Sequence, residues 1–113
     1  MRIYKIKLWK IMKMNKLITM LGFAKRARQL ASGANAVQRS ILSGRSCLVI
    51  IAADSGDSLK RKFTRLCEEN EVKVLIYSSN EELSMMTHED NKSIYSVENE
   101  ELAKQVYNLI NNG

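Results

Sequence analysis

The stretch CLVIIAA, residues 47–53, is apolar at every position and has the length of one β-strand. Its β-branched residues favour an extended backbone and no polar residue alternates with them, so the pattern predicts a central strand covered on both faces. A chain of 113 residues is long enough for one such core, because about two thirds of the unfolded surface is buried at this size. We therefore expect one domain, with Leu48, Ile50 and Val74 in its central sheet.

The segments around this strand alternate between helical and strand patterns. Apolar residues recur at helical spacing over residues 16–29 and Ala34–Leu42, and Gly44 is placed to end the second of these helices. A third helix with Phe63 on its apolar side follows, VKVLIY and SIYSV predict two more strands, and further helices are predicted over residues 81–86 and near the C-terminus. This order predicts an α/β fold, a three-layer α/β/α sandwich.

Charge is unevenly distributed along the chain. Residues 76–113 are acidic, whereas residues 1–53 contain no Asp or Glu at all. The cations of that first part are Arg2, Lys5, Lys7, Lys10, Lys13, Lys16, Lys25, Arg26, Arg28, Arg39 and Arg45. The N-terminal half is therefore the side expected to bind a polyanion.

Residues 1–14, MRIYKIKLWKIMKM, fit neither a clean helical stripe nor a clean strand alternation. We expect residues 15–113 to form the folded domain and residues 1–14 to be a basic extension. The extension is either a mobile tail or the product of an upstream start codon assigned by mistake, with Met14 as the real start. A third interpretation is a peripheral membrane anchor that uses Trp9 and the lysines, although the charges exclude a membrane span.

The second predicted helix carries the candidate binding residues. Asn35 and Arg39 are one turn apart on the face that points away from the apolar stripe, with Gln38 at its border. Gly33 precedes this helix and leaves its first-turn amides approachable by an anion. An amide can read a purine edge, and a guanidinium can hold a phosphate or a guanine. In the alternative interpretation, Asn35 caps the helix and Arg39 is a solvated surface cation.

The stretch LGFAKRARQLASGANAVQRSILSGRSCLVIIAAD, followed by RLCEENEVKV, resembles the L7Ae/L30e-like family of kink-turn RNA-binding ribosomal proteins. The resemblance is strongest to the small bacterial YlxQ-type members. It implies a small mixed sheet between helices, and it implies an RNA-binding role for Gly33, Asn35 and Arg39. We predict that Gln38 and the first-helix cations also contact RNA; those cations are Lys25, Arg26 and Arg28.

The chain departs from the family pattern at several positions. Ala34 and Ala36 replace side chains that are polar or acidic in many members. Asn80 stands where a basic residue is usual, Ser84 replaces the glycine of a Leu-Gly pair, and His88 replaces a second glycine. This segment normally packs against an unstacked nucleotide, but here it also carries acids that repel phosphate, namely Glu81, Glu82, Glu89 and Asp90.

The sequence contains no catalytic constellation. His88 lacks a partner for acid–base chemistry, and the glycines match neither a dinucleotide fingerprint nor a P-loop, so we expect neither enzymatic activity nor a cofactor. Cys47 and Cys67 lack the spacing of a metal or redox pair and are expected to be buried free thiols in a reducing cytoplasm. Asp54 is expected to cap the third helix, while a weaker alternative places a small active site at its sheet edge.

We therefore predict a non-enzymatic, cytoplasmic binder of structured RNA that is associated with the ribosome or with translation. Its partner would be ribosomal RNA or another kink-turn RNA, and no membrane partner or metal is expected. The main alternative is a protein-interaction adaptor that keeps the same fold but has lost tight RNA binding, which the altered segment over residues 79–90 would explain.

Overall fold

The computed structural model describes residues 2–111, with side chains from Leu8 onward. Helices and strands alternate along most of this region, as predicted. In chain order the elements are α1 (Arg2–Arg26), β1 (Leu30–Ser32), α2 (Ala34–Leu42), β2 (Leu48–Ile51), α3 (Asp57–Glu69), β3 (Lys73–Ile76), α4 (Asn80–Thr87), β4 (Ile94–Val97) and α5 (Glu100–Asn111).

The four strands form one mixed sheet in the order β1-β4-β2-β3. Strand β2 is parallel to β3 and antiparallel to β4, and β4 is antiparallel to β1. In the centre of the sheet Val49 lies opposite Val74 on one side and Ser96 on the other. This topology brings the C-terminal ends of β1, β2 and β3, together with the first residue of β4, to the same side of the sheet, where the strands end and the loops begin. We call this side the loop edge.

The core lies on both faces of the sheet, so the predicted three-layer α/β/α architecture is confirmed. Leu48 and Ile50 face α1, α4 and α5, where they pack with buried residues such as Leu17. Val49 and Ile51 face α2 and α3 in a second cluster, and Phe63 is completely buried there. The unbroken apolar pattern of β2 follows from this arrangement, because alternate side chains enter different cores.

Three buried serines connect α2 to the sheet. The hydroxyl oxygens of Ser40 on α2 and Ser96 on β4 are 2.8 Å apart, and the Ser96 hydroxyl donates to Ser46 Oγ at 2.7 Å. All three side chains are buried. A chain of hydrogen bonds inside an apolar layer is directional, so it fixes where α2 sits on the sheet more strictly than apolar contact alone.

The first helix begins at Arg2, not at residue 16 as predicted, and it ends at Arg26. The sequence pattern missed its first half because the apolar side of the helix changes. Leu17 and Leu21 are buried in the core, whereas Leu8 and Met12 lie on nearly the opposite side and are exposed. The side chains of residues 1–7, including three of the predicted cations, lie outside the described residues. In the part of the chain that is described, no helix is long and apolar enough to cross a membrane.

Strand β1 was not predicted, and its signal in the sequence is weak. It has three residues, all half-buried, and it lies at the edge of the sheet. Leu30 pairs with Val97 and Ser32 pairs with Tyr95, so its existence depends on a strand more than sixty positions away. A segment this short is stabilised by its partner and by packing, not by its own propensity.

The predicted role of Asp54 as a cap of α3 is wrong. Helix α3 begins after Gly56, and the Asp54 carboxylate instead accepts a hydrogen bond of 2.9 Å from the backbone N–H of Asn80. Asn80 is the first residue of α4. Asp54 therefore ties the end of β2 to the start of α4 across the loop edge.

A chain that starts at Met14 is expected to fold. It keeps the buried residues of α1 from Leu17 onward, and it loses the hydrogen bond of 3.2 Å that the Lys13 ammonium donates to the Ile110 carbonyl. Loss of one such bond is worth about 1 kcal/mol, so the melting temperature should fall by less than about 8 °C. Circular dichroism during thermal unfolding measures this, and an unfolded truncated chain would show that residues 1–13 are required.

Candidate nucleic-acid interface

Gly33 joins β1 to α2 in a backbone conformation that other residues rarely adopt. Its φ is 89° and its ψ is 158°, a combination that is accessible essentially only to glycine. The Gly33 N–H donates to the Ile94 carbonyl at 2.9 Å, and its own carbonyl accepts from Val37 N–H at 2.9 Å. The glycine therefore turns the chain from the sheet into the first turn of α2 without leaving either backbone group unpaired.

Asn35 and Arg39 are exposed on α2, while Val37 between them is buried, as predicted. Gly33 is the N-cap residue, and no described side chain accepts a capping hydrogen bond at this end of α2. Asn35 therefore does not cap the helix. The first turn also contains no acidic residue, so no carboxylate of this turn offsets the positive end of the helix dipole.

Gly33, Asn35 and Arg39 line a shallow depression of about 320 Å³, which we call the α2 depression. None of the described residues that line it is acidic. They are Ser32, Gly33, Ala34, Asn35, Ala36, Arg39 and Lys92.

Lys92 is a site residue that the sequence interpretation missed. Its side chain lies over Gly33, and a Cβ built on that glycine would be 3.5 Å from both Cδ and Nζ of the lysine. This is an ordinary van der Waals distance, so a Cβ would fit at this position. Glycine is required chiefly because of the backbone φ of 89°. Lys92 is 59 positions from Gly33 along the sequence, and only the pairing of β1 with β4 brings the two together.

The backbone of Lys92 is held in place by side chains that had looked like departures from the family pattern. Ser84 Oγ accepts from Lys92 N–H at 3.0 Å and donates to its carbonyl at 3.2 Å. The Tyr95 hydroxyl donates to the same carbonyl at 3.0 Å. Next to it, the Asn80 amide donates to Ser93 Oγ at 2.6 Å. Ser84 and Asn80 therefore fix the loop that presents Lys92.

The segment after α4 is fixed by Lys25. His88 has a φ of 55° at the C-terminal end of α4, the left-handed conformation that favours glycine. The Lys25 ammonium donates to the carbonyls of Thr87 at 2.9 Å and His88 at 2.7 Å, and it lies 2.8 Å from the Glu89 carboxylate. The structure thus gives Lys25 an internal role at the end of α4, not a place in the α2 depression.

The other predicted cations do not line the α2 depression either. Arg26 and Arg28 are exposed. Arg28 precedes β1 at the end away from Gly33, because the next residue, Gln29, accepts a backbone bond from Glu98 beyond the far end of β4. Gln38 is half-buried on α2 and is not among the lining residues. The structure brings together Gly33, Asn35 and Arg39, and it adds Lys92.

The acids of the altered segment are partly neutralised. Glu89 forms the ion pair with Lys25, and the Glu82 carboxylate accepts a 2.6 Å hydrogen bond from the Ser78 hydroxyl. Glu81 and Asp90 are exposed. Only Glu89 has a counter-charge, so the repulsion of phosphate expected from four acids is reduced to that of the other three.

Other chemistry has little support among the described residues. No group of three or more potential metal ligands occurs there. Burial raises the pKa of the Cys67 thiol to about 11, and burial followed by the charges of Glu100 and Glu98 raises the pKa of Cys47. Both thiols are free, but Cys47 is only half-buried, which differs from the prediction. Neither has the lowered pKa of a reactive nucleophile.

Comparison with known proteins gives a family. The model of the ribosomal protein L7Ae/L30e/S12e/Gadd45 family matches residues 15–107. A protein with unknown function from Bacillus halodurans C has a similar structure, with a TM-score of 0.80 and 26% sequence identity over 85% of this chain and 97% of that one. The Giardia lamblia 15.5kD RNA binding protein shares the fold, with a TM-score of 0.69 and 21% identity over 85% of this chain and 82% of that one.

No curated protein sequence matches the chain. The family model nevertheless covers most of its length, from the middle of α1 to α5. The chain therefore belongs to the ribosomal protein L7Ae/L30e/S12e/Gadd45 family.

Proposed function

We propose that this chain is a non-enzymatic binder of structured RNA, of the kink-turn type, and that the α2 depression is its binding surface. The observation that carries the proposal is the convergence of the acid-free first turn of α2 with Arg39 and Lys92 around one depression. Helix amides and cations on one surface suit a phosphate backbone. The family and the RNA-binding neighbour of the same fold support the same function.

The depression also suits the reading of a base. The exposed Asn35 amide offers a donor and an acceptor, which match the edge of a purine whose base is not stacked in a helix. Arg39 and Lys92 would hold the strand on either side of that base. Within this proposal the chain is a YlxQ-type member that acts in the cytoplasm on ribosomal RNA or another kink-turn RNA. Arg26 and Arg28 would be outlying phosphate contacts.

A competition between folded and unfolded RNA targets tests the proposal. We expect the full chain to bind a kink-turn RNA more tightly than a regular duplex of equal length, with affinity that falls by about tenfold or more between low and physiological salt. Fluorescence anisotropy over a salt series measures both the difference in affinity between the two RNAs and the salt dependence of binding. Equal affinity for the two RNAs at every salt concentration would contradict the kink-turn assignment.

Asn35→Ala tests base reading separately from phosphate binding. The change should weaken kink-turn binding by about 1–3 kcal/mol while leaving the salt dependence nearly unchanged, because no charge is removed. Arg39→Ala is the matched comparison on the same face, and it should reduce the salt dependence if Arg39 contacts phosphate. If Asn35→Ala binds like the parent and is equally stable, Asn35 reads no base.

A protein-interaction adaptor is the second candidate, and the exposed acids Glu81 and Asp90 favour it. Both belong to the altered segment after β3, where phosphate would be repelled. Neutralising them as Glu81→Gln and Asp90→Asn separates the two functions. If the chain is an RNA binder, its affinity for RNA should increase. If it is an adaptor that uses these acids, it should lose its protein partner while its affinity for RNA stays unchanged.

A further inference from the structure

The first half of α1 projects from the domain. Lys13 on α1 contacts the rest of the domain, because its ammonium donates to the Ile110 carbonyl and lies 5.7 Å from the centre of the Tyr77 ring. All five residues from 8 to 12 are exposed. We call residues 8–12 the projecting segment. It lies outside the region matched by the family model, which begins at residue 15.

The projecting segment carries large apolar side chains that the domain does not bury. Leu8, Trp9, Ile11 and Met12 are each about half exposed. At about 100° per residue these four fall within an arc of about 160°, and Lys10 lies outside it. The arc also contains Phe23, which is itself exposed further along the same helix. An exposed apolar patch on a regular helix indicates a surface that is covered by something else.

The charge of α1 itself is entirely positive. Residues 1–53 contain no acid, Lys10 is exposed outside the apolar arc, and Lys16 is exposed within the angular range of the arc, one turn after Met12. A second copy of the same helix would bring like charges together. An RNA strand would accept the cations, but its phosphates offer no cover for Leu8, Ile11 or Met12. A surface that is both apolar and anionic would cover the apolar side chains and also attract the lysines.

We propose that the projecting segment docks on an anionic lipid surface. The apolar arc enters the boundary between headgroups and acyl chains, and the lysines contact lipid phosphates and carboxylates, as in amphipathic helices that lie in a membrane interface. The rigid continuation of α1 holds the domain beside the surface, and the α2 depression is a separate site. The anionic cytoplasmic leaflet is a surface of this chemistry. This proposal takes up the third interpretation of residues 1–14 and replaces the expectation that no membrane partner is involved.

The protein contains its own probe for the test, because Trp9 is the only tryptophan. The full chain is mixed with vesicles of phosphatidylcholine alone or with phosphatidylserine added, at physiological salt. We expect sedimentation with the anionic vesicles and a blue shift of Trp9 emission, since the indole leaves water. Kink-turn RNA should bind without this shift.

Two variants separate apolar docking from general attraction of a basic protein to anionic vesicles. Leu8→Gln with Met12→Gln keeps every charge and keeps good helix formers, and it should weaken partitioning by at least about tenfold. Leu42→Gln with Met85→Gln changes two apolar residues elsewhere that are at least as exposed, and it should partition like the parent. Circular dichroism verifies that both variants are folded.

The proposal is overturned by any of three results. These are the absence of a blue shift with anionic vesicles, equal partitioning of the two variants, and a shift that RNA produces instead of lipid. Concentration-dependent self-association that buries Trp9 without lipid would assign the projecting segment to a second copy of the chain and would equally overturn the lipid assignment.

Discussion

Reversal of charge at Arg39 and Lys92 together is expected to abolish tight RNA binding. These two cations line the same depression. Each charged hydrogen bond is worth about 1.5–3 kcal/mol and about 1.4 kcal/mol is a factor of ten, so Arg39→Glu with Lys92→Glu should weaken binding by at least about a hundredfold. The logarithmic salt dependence should also decrease by about 1.5, because two phosphate contacts are lost.

The control for this experiment is a pair of cations elsewhere. Arg61 and Arg65 are exposed on α3, and Arg61→Glu with Arg65→Glu changes the net charge by the same amount. The RNA affinity of that variant should fall only slightly, because it loses only part of the general attraction between a basic protein and RNA. If the two double variants bind kink-turn RNA equally, net charge determines the affinity and the α2 depression is not the binding surface.

Gly33→Val is expected to have the largest effect of any single change, because it acts on both stability and binding. A β-branched residue at a φ of 89° is strained, and such strain costs about 1–3 kcal/mol or more. The melting temperature should fall by roughly 5–20 °C. The valine methyl groups would also press on the Lys92 side chain, and RNA binding should weaken by about tenfold or more.

Gly44 distinguishes strain from the loss of a binding surface. Its φ is 79°, and a Cβ placed there would meet no atom within 4 Å. Gly44→Val should therefore lose stability for the same backbone reason, while its RNA affinity, measured well below both melting temperatures, should stay close to that of the parent. Equal losses of affinity in the two variants would mean that Gly33 matters only for folding.

The order of most elements could be predicted from sequence because their signals are local. The continuous apolar run of β2 and the spacing of Val37 and Ile41 on α2 each depend on a few neighbouring residues. The first half of α1 was not predicted as a helix, and the reason is physical. Leu8 and Met12 face away from the domain whereas Leu17 and Leu21 face into it, so no single stripe runs the length of the helix.

The binding surface could be predicted only in part. Gly33, Asn35 and Arg39 lie within one short stretch, and their spacing predicts a shared face. Lys92 could not be placed from sequence, because its position depends on the pairing of β1 with β4. Lys25 appeared to be a candidate RNA contact by its charge alone, and its bonds to the end of α4 are visible only when the two helices are seen to pack.

The order of strands also determines when the surface can form during synthesis. Strand β4 lies between β1 and β2, so the Gly33 N–H has no Ile94 carbonyl to bind until the chain has grown by about 60 more residues, which takes about 3–12 s at the usual rate of translation. A nascent chain therefore emerges with its most basic part exposed but without the depression that would select one RNA. Selectivity is acquired only when β4 joins the sheet, after the basic N-terminal part has already been made.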